Sequence, residues 1–250
     1  MTQPHIPGIT GEVAVVTGAA GGIGGAVTDA LRQAGAIVDA WDIRPAPDSG
    51  GTSSRDTGIR GVDVTDRAAV TAAFAAAEAA HGPVTVVVHA AGVMTEDWDR
   101  CLAVNATGAR NVLDAAVTAM VPRESGAVVV ISSNAGATPR VAMPAYAASK
   151  AAATAYARSV GLAVAGAGVR VNIVSPGSTD TPMLRGMWTC EQDRAAVLAG
   201  NPDQYRLGIP LGRIATAADI AGTVIFLASA AARHITLHDL RVDGGATLDQ

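Results

Sequence analysis

The stretch "EVAVVTGAAGGIGGAV", Glu12 to Val27, decides the fold. Its first half is an apolar run without polar alternation, the pattern of a strand buried on both faces. The run ends in glycines at positions 18, 21, 22, 24 and 25, and a helix pattern follows from about Gly22 to Ala34. A strand that empties through glycines into a helix opens a parallel βαβ unit. Glycine allows the tight turn and lets the backbone approach a pyrophosphate at the helix N-terminus, where unpaired N–H groups favour an anion. Gly18, Gly22, Ile23 and Gly24 are therefore candidate dinucleotide contacts.

Working outward, apolar runs alternate with helix-patterned segments. Strands are expected at "AIVDAWD" (36–42), "IRGVDV" (59–64), "PVTVVVHAAG" (83–92), "GAVVVISS" (126–133), "VRVNIVSPG" (169–177) and "HDLRVDGG" (238–245). Helices are expected over "DRAAVTAAFAAAEAAHG" with Asp66 in the first turn, over Thr95 to Met120, Tyr146 to Ala165, and Ala217 to Ala230. This alternation predicts an α/β fold: one doubly wound parallel sheet of the Rossmann type, in a single domain, with helices on both faces. "RPAPDSGGTSSRDTG" (44–58) reads as a polar loop, and the irregular span Pro182 to Pro210 as a substrate lid.

Composition narrows the function classes. The 250 residues suffice for one substantial core. A net charge of -4 and the lack of a dense Lys/Arg cluster argue against a nucleic-acid surface. The longest apolar runs have strand length and cannot span a bilayer. Cys101 and Cys190 are too few for a disulfide framework, and "MTQPHIPGITGEV" shows no export signal, so a cytoplasmic protein is expected. His89, His234 and His238 lack ligand spacing, and no metal is expected.

Asp42 ends the second strand, 24 residues after Gly18, where a carboxylate grips the adenosine ribose and repels a 2′-phosphate. That favours NAD over NADP. Arg44 nearby is the countersignal, but no basic residue lies in the glycine turn itself. Asp63, beside Val64, is placed either to touch the adenine or to cap the next helix. "AYAASK" (145–150) sets Tyr146 one helical turn before Lys150, so that phenol and ammonium share a face. A nearby cation favours the phenolate, which makes Tyr146 a candidate general base.

The ordered set Thr17-Gly18-x-x-x-Gly22-x-Gly24, "HAAG" (89–92), Asn105, Ser133, Tyr146, Lys150 and "SPG" (175–177) resembles the short-chain dehydrogenase/reductase family. The resemblance implies a catalytic tetrad of Asn105, Ser133, Tyr146 and Lys150; Ser133 is preferred to Ser132 because it lies 13 residues before the tyrosine. It also implies NAD contacts from Asp42, Asp63, Val64, Ala90, Ala91, Gly92, Tyr146, Lys150, Pro176, Gly177, Thr179 and Thr181. In the implied roles, Lys150 lowers the Tyr146 pKa, Asn105 holds a water leading to bulk solvent, and Thr181 binds the nicotinamide carboxamide. Two departures stand out: His89 replaces the family's usual asparagine, and the span from Gly92 to Asn105 is short.

"TPRVAMPAYAASKAA", "LGIPLGRIA" and "FLASAAARHITLHDLRVDGG" sharpen the resemblance toward members that oxidise the C3 ring alcohol of a dihydro-hydroxybenzoate-type acid, which then aromatises. The C2 substituent is a hydroxyl or, alternatively, an amine; a general alcohol or ketone oxidoreductase is the broader reading. Substrate contacts implied on this reading are Ser133, Arg140, Met143, Tyr146, Met183 and Met187, with Arg140 on the carboxylate. A homotetramer is the family expectation.

Overall fold

The computed structural model describes residues 8–43 and 58–248. Arg44 and nearly all of the polar loop lie outside them. The chain runs β1 (Val13–Thr17), α1 (Gly22–Gln33), β2 (Ile37–Asp42), β3 (Ile59–Gly61), α2 (Arg67–His81) and β4 (Val84–His89). Then come α3 (Trp98–Cys101), a π turn (Leu102–Thr107), α4 (Gly108–Met120), β5 (Gly126–Ile131), α5 (Pro144–Val164) and β6 (Val169–Pro176). The last third contains β7 (Thr179–Asp180), α6 (Pro182–Arg185), α7 (Glu191–Ala199), β8 (Gly200–Asn201), β9 (Arg206–Leu207), β10 (Ala215–Thr216), α8 (Ala217–Ala228) and β11 (Asp239–Val242).

Seven strands form one sheet in the order β11-β6-β5-β4-β1-β2-β3, and every pairing is parallel. The strand order reverses between β1 and β4, so a crevice opens beyond their carboxyl ends, where doubly wound sheets bind ligands. Period-2 alternation divides the core. Val13 and Val15 of β1, with Val128 and Val130 of β5, pack under α2, α4 and α5 against Phe74, Val112, Leu113 and Ala157. Ala14 and Val16, with Val129 and Ile131, face α1 and α8 through Val27, Leu31, Ile220, Val224 and Leu227. Burying such side chains contributes about 1.5–3 kcal/mol each, and both faces do so.

Four sequence expectations are corrected. The third strand stops at Gly61, because the Asp63 carboxylate accepts from the Thr65 amide (2.9 Å) and hydroxyl (2.8 Å) and turns the chain. Asp63 is therefore not the helix cap. Asp66 is the N-cap of α2 rather than a first-turn residue, accepting from the Ala68 and Ala69 amides at 2.8 and 3.1 Å. The segment expected to be mainly helical, Thr95 to Met120, starts its helix at Trp98 and carries the π turn. The span 182–210 is ordered into α6, α7 and the β8–β9 hairpin. Thr181 caps α6 and Asp193 closes a capping box at Cys190. These elements are too short to show a periodic apolar signal.

Among the described residues, no helix is long and apolar enough to cross a membrane, and no cluster of metal-ligating side chains occurs.

Candidate active site

The glycine turn is locked from two sides. Gly18 has φ +70°, and a Cβ there would lie 2.6 Å from the Ala91 nitrogen. A Cβ at Gly24 would lie 2.1 Å from the Gly18 carbonyl oxygen. Neither position admits a side chain. The Thr17 hydroxyl accepts from the Ala90 and Ala91 amides, both at 3.2 Å, and so ties the end of β1 to the exit of β4. Asp42 is buried and accepts from the Ala20 amide at 3.1 Å, which holds its carboxylate at the glycine turn. Gly22 lies against Thr181, since a Cβ would approach its Cγ2 to 2.7 Å. Val64 instead packs into the core against Gly108, and its carbonyl accepts from buried Asn111, a residue sequence reasoning passed over.

His89 explains its own presence. Its Nδ1 lies 3.0 Å from the Thr17 hydroxyl oxygen. Because that oxygen accepts two amides, its hydrogen is free for the ring, and the proton on His89 belongs on Nε2. Nε2 is buried with no partner among the described residues. Burial first, and then the Lys150 charge, lower the His89 pKa to about 3, so the ring is neutral.

Tyr146 and Lys150 sit in the first two turns of α5, which starts cleanly because Pro144 occupies its first turn. The Lys150 ammonium lies 5.9 Å from the centre of the Tyr146 ring and donates to the Ile131 carbonyl at 2.9 Å. Burial lowers the Lys150 pKa to about 8. Burial also raises the Tyr146 pKa, opposed by a hydrogen bond from Ser133. The sequence expectation of a phenol already made acidic by its lysine is therefore corrected: desolvation of the ring outweighs an ammonium whose closest bond is to the backbone. Asn105, buried in the π turn, accepts from the Val93 amide (2.8 Å) and donates to the Val93 carbonyl (2.8 Å) and the Ser149 hydroxyl (2.9 Å). Ser149 in turn donates to the Tyr146 carbonyl at 2.7 Å. Both Asn105 amide hydrogens are thus spent on holding the short 92–105 span against α5.

A cavity of about 440 Å³ opens at this end of the sheet. Ser133, Tyr146 and Lys150 line it, together with Ile23, Ala90, Gly92, Pro176, Gly177, Thr179 and Thr181. Thr181 spends its hydroxyl on the Thr179 carbonyl and the Leu184 amide. Arg140, Met143, Met183, Met187 and Trp188 form other walls. Gly18, Gly22, Gly24, Asp42, Asp63, Val64, Ala91 and Asn105 lie outside this lining. Met94, Asn134, Asp193 and Arg206 belong to it and were not anticipated. Arg206 sits on a two-residue strand whose sequence carries no motif.

A bare-backbone turn that tolerates no Cβ, beside a buried carboxylate at the end of β2, fits NAD. The chain belongs to the short chain dehydrogenase family, whose model matches residues 12–192. It is thus an oxidoreductase using a nicotinamide cofactor. It is 41% identical to the 2,3-dihydro-2,3-dihydroxybenzoate dehydrogenase of Bacillus subtilis (strain 168), over 96% of this chain and 98% of that one. The enzyme of the same name from Escherichia coli (strain K12) is also 41% identical, again over 96% and 98%. Among solved structures, that of gox2181 superimposes with a TM-score of 0.84 at 29% identity, covering 98% of each chain.

Proposed function

We propose that the protein oxidises the C3 alcohol of 2,3-dihydro-2,3-dihydroxybenzoate, yielding 2,3-dihydroxybenzoate. The carrying observation is one cavity lined by Ser133, Tyr146, Lys150 and Arg140, in a chain 41% identical to two enzymes of that name. Tyr146, as phenolate, takes the hydroxyl proton while the C3–H bond breaks. Ser133 hydrogen-bonds the reacting oxygen and the phenol. Lys150, charged below pH 8, favours the phenolate and holds the cofactor ribose. NAD, when bound, accepts the hydride and brings a positive ring that favours the phenolate further. Asn105 positions α5 through Ser149, and the second lone pair of its Oδ1 holds the water that leads from Lys150 toward solvent. The ring ketone left by oxidation tautomerises to the catechol, and this aromatisation draws the reaction forward.

The 182–210 span acts as a lid carrying Met183 and Met187, and a homotetramer acting in the cytoplasm completes the reading. Sedimentation at micromolar concentration tests the assembly. The function is tested by giving purified protein NAD with the dihydroxy acid or with its C2-amino counterpart, 2,3-dihydro-3-hydroxyanthranilate, while following NADH and aromatic product together. Equal rates of both signals, faster on the dihydroxy acid, are expected. Preference for the amino acid would transfer the assignment to it, and no turnover of either would end the proposal.

A further inference from the structure

Beyond the reaction centre, the cavity wall carries an uneven charge. Arg140, Lys150 and Arg206 line it against one carboxylate, that of Asp193. That carboxylate is already engaged, since its Oδ2 accepts from the Thr189 amide and hydroxyl and from the Cys190 amide, at 2.6, 2.9 and 3.2 Å. It forms no ion pair with Arg206 among the described residues. Arg206 is half-buried on β9, and its guanidinium makes no hydrogen bond or ion pair among the described residues. Other partly buried arginines are satisfied: Arg60 by Asp39, Arg123 by Glu78, and Arg170 by the carbonyls of Leu227, Ala228, Ser229, Ala232 and Ile235. A half-buried guanidinium without an anion is costly unless a ligand supplies one.

Its location says which ligand. Arg140, Asn134, Ser178 and Arg206 line both the main cavity and a small polar recess of about 20 Å³ that adjoins it. Arg140 comes from the β5–α5 connection, whereas Arg206 comes from the hairpin of the 182–210 span. Two planar guanidinium groups lining one recess with the Asn134 amide and the Ser178 hydroxyl suit a planar anion with two equivalent oxygens.

We infer that Arg206 completes, with Arg140, a carboxylate subsite that anchors the acid group of the substrate and joins the 182–210 span to the sheet end through it. This rests on the proposed reading that the substrate is a cyclic acid. Arg206 is a specificity-determining residue: it selects the acid and takes no part in proton or hydride transfer.

The test compares wild type, Arg206→Gln and Arg206→Lys, each with NAD. Turnover is followed on the dihydroxy acid, and equilibrium binding is measured for benzoate and for catechol, which lacks the carboxylate. Loss of a paired, charge-assisted contact lowers affinity about ten- to a hundredfold. Arg206→Gln is expected to raise KM for the acid and weaken benzoate binding by that factor, with kcat within about twofold and catechol binding unchanged. Arg206→Lys is expected to recover only part of the loss, because an ammonium cannot form the fork. Benzoate bound equally by all three proteins overturns the subsite, even if wild type oxidises the acid. Conversely, Arg206-dependent benzoate binding in a protein that fails to oxidise the acid upholds the subsite and refutes the substrate reading. Equal weakening of benzoate and catechol overturns the inference too, since it marks a general loss of cavity shape.

Discussion

The Lys150 ammonium that stands 5.9 Å from the centre of the Tyr146 ring also donates 2.9 Å to the Ile131 carbonyl. One side chain thus fixes helix α5 to the last residue of β5 and sets a positive charge beside the phenol. The carbonyl bond satisfies one of its three hydrogens, which leaves the others for a ribose and a solvent path.

Replacing Lys150 by alanine removes that charge, and burial then raises the phenol against the Ser133 hydrogen bond alone. The pH at which alcohol oxidation reaches half its plateau is expected to rise by about one to two pH units. A pH–rate profile for kcat in wild type and Lys150→Ala measures this, and superimposable midpoints would show that the ammonium does not tune the tyrosine.

The same lysine costs stability. Its pKa falls from 10.5 to about 8 on burial. Below pH 8 both folded and unfolded chains carry the proton, and the full penalty applies. Between pH 8 and 10.5 the folded chain sheds it first, so stability rises with pH through that window. Lys150→Met is therefore expected to be inactive yet more stable at pH 7, by roughly 3 kcal/mol. That advantage should vanish above pH 10.5, which denaturant titrations at pH 7 and 10.5 resolve.

His89 gives the same sign at the acid end. With its pKa lowered from 6.5 to about 3, the folded chain holds the ring neutral while the unfolded chain protonates it. Stability from this group is complete above pH 6.5 and is lost as pH falls toward 3. By pH 4.5 the loss is about 2–3 kcal/mol. The drop in unfolding free energy between pH 7 and 4.5 should be smaller by that amount in His89→Asn, and an identical drop would place the acid sensitivity elsewhere.

Arg140→Ala is expected to raise KM for the acid substrate about tenfold or more with a smaller change in kcat, because a remote anchor contributes alike to ground and transition states. Steady-state kinetics on the acid decide it. Unchanged constants would remove Arg140 from the substrate.

The parts legible in the sequence are those in which one residue type does one local job. The apolar runs of β1, β4 and β5 announced a doubly covered sheet, and the glycines at 18, 22 and 24 stand where no Cβ fits. Tyr146 and Lys150 were legible because helical spacing alone puts them on one face. Asn111 and Arg206 were not, since their roles depend on chain segments distant in sequence: Asn111 reaches back to Val64 and Thr65, and Arg206 lines the same cavity as Arg140. The balance at Tyr146 was misjudged for a related reason, because spacing reveals a neighbouring charge but not how much water the fold removes.

The chain of bonds from Val93 through Asn105 and Ser149 to the backbone of Tyr146 has an evolutionary corollary. It makes the proton-handling groups a single mechanical unit that can shift only together, while α6, α7 and the β8–β9 hairpin attach elsewhere. Descendants of such a scaffold can exchange the outer wall for new molecular clients and inherit the acid–base apparatus without retuning it.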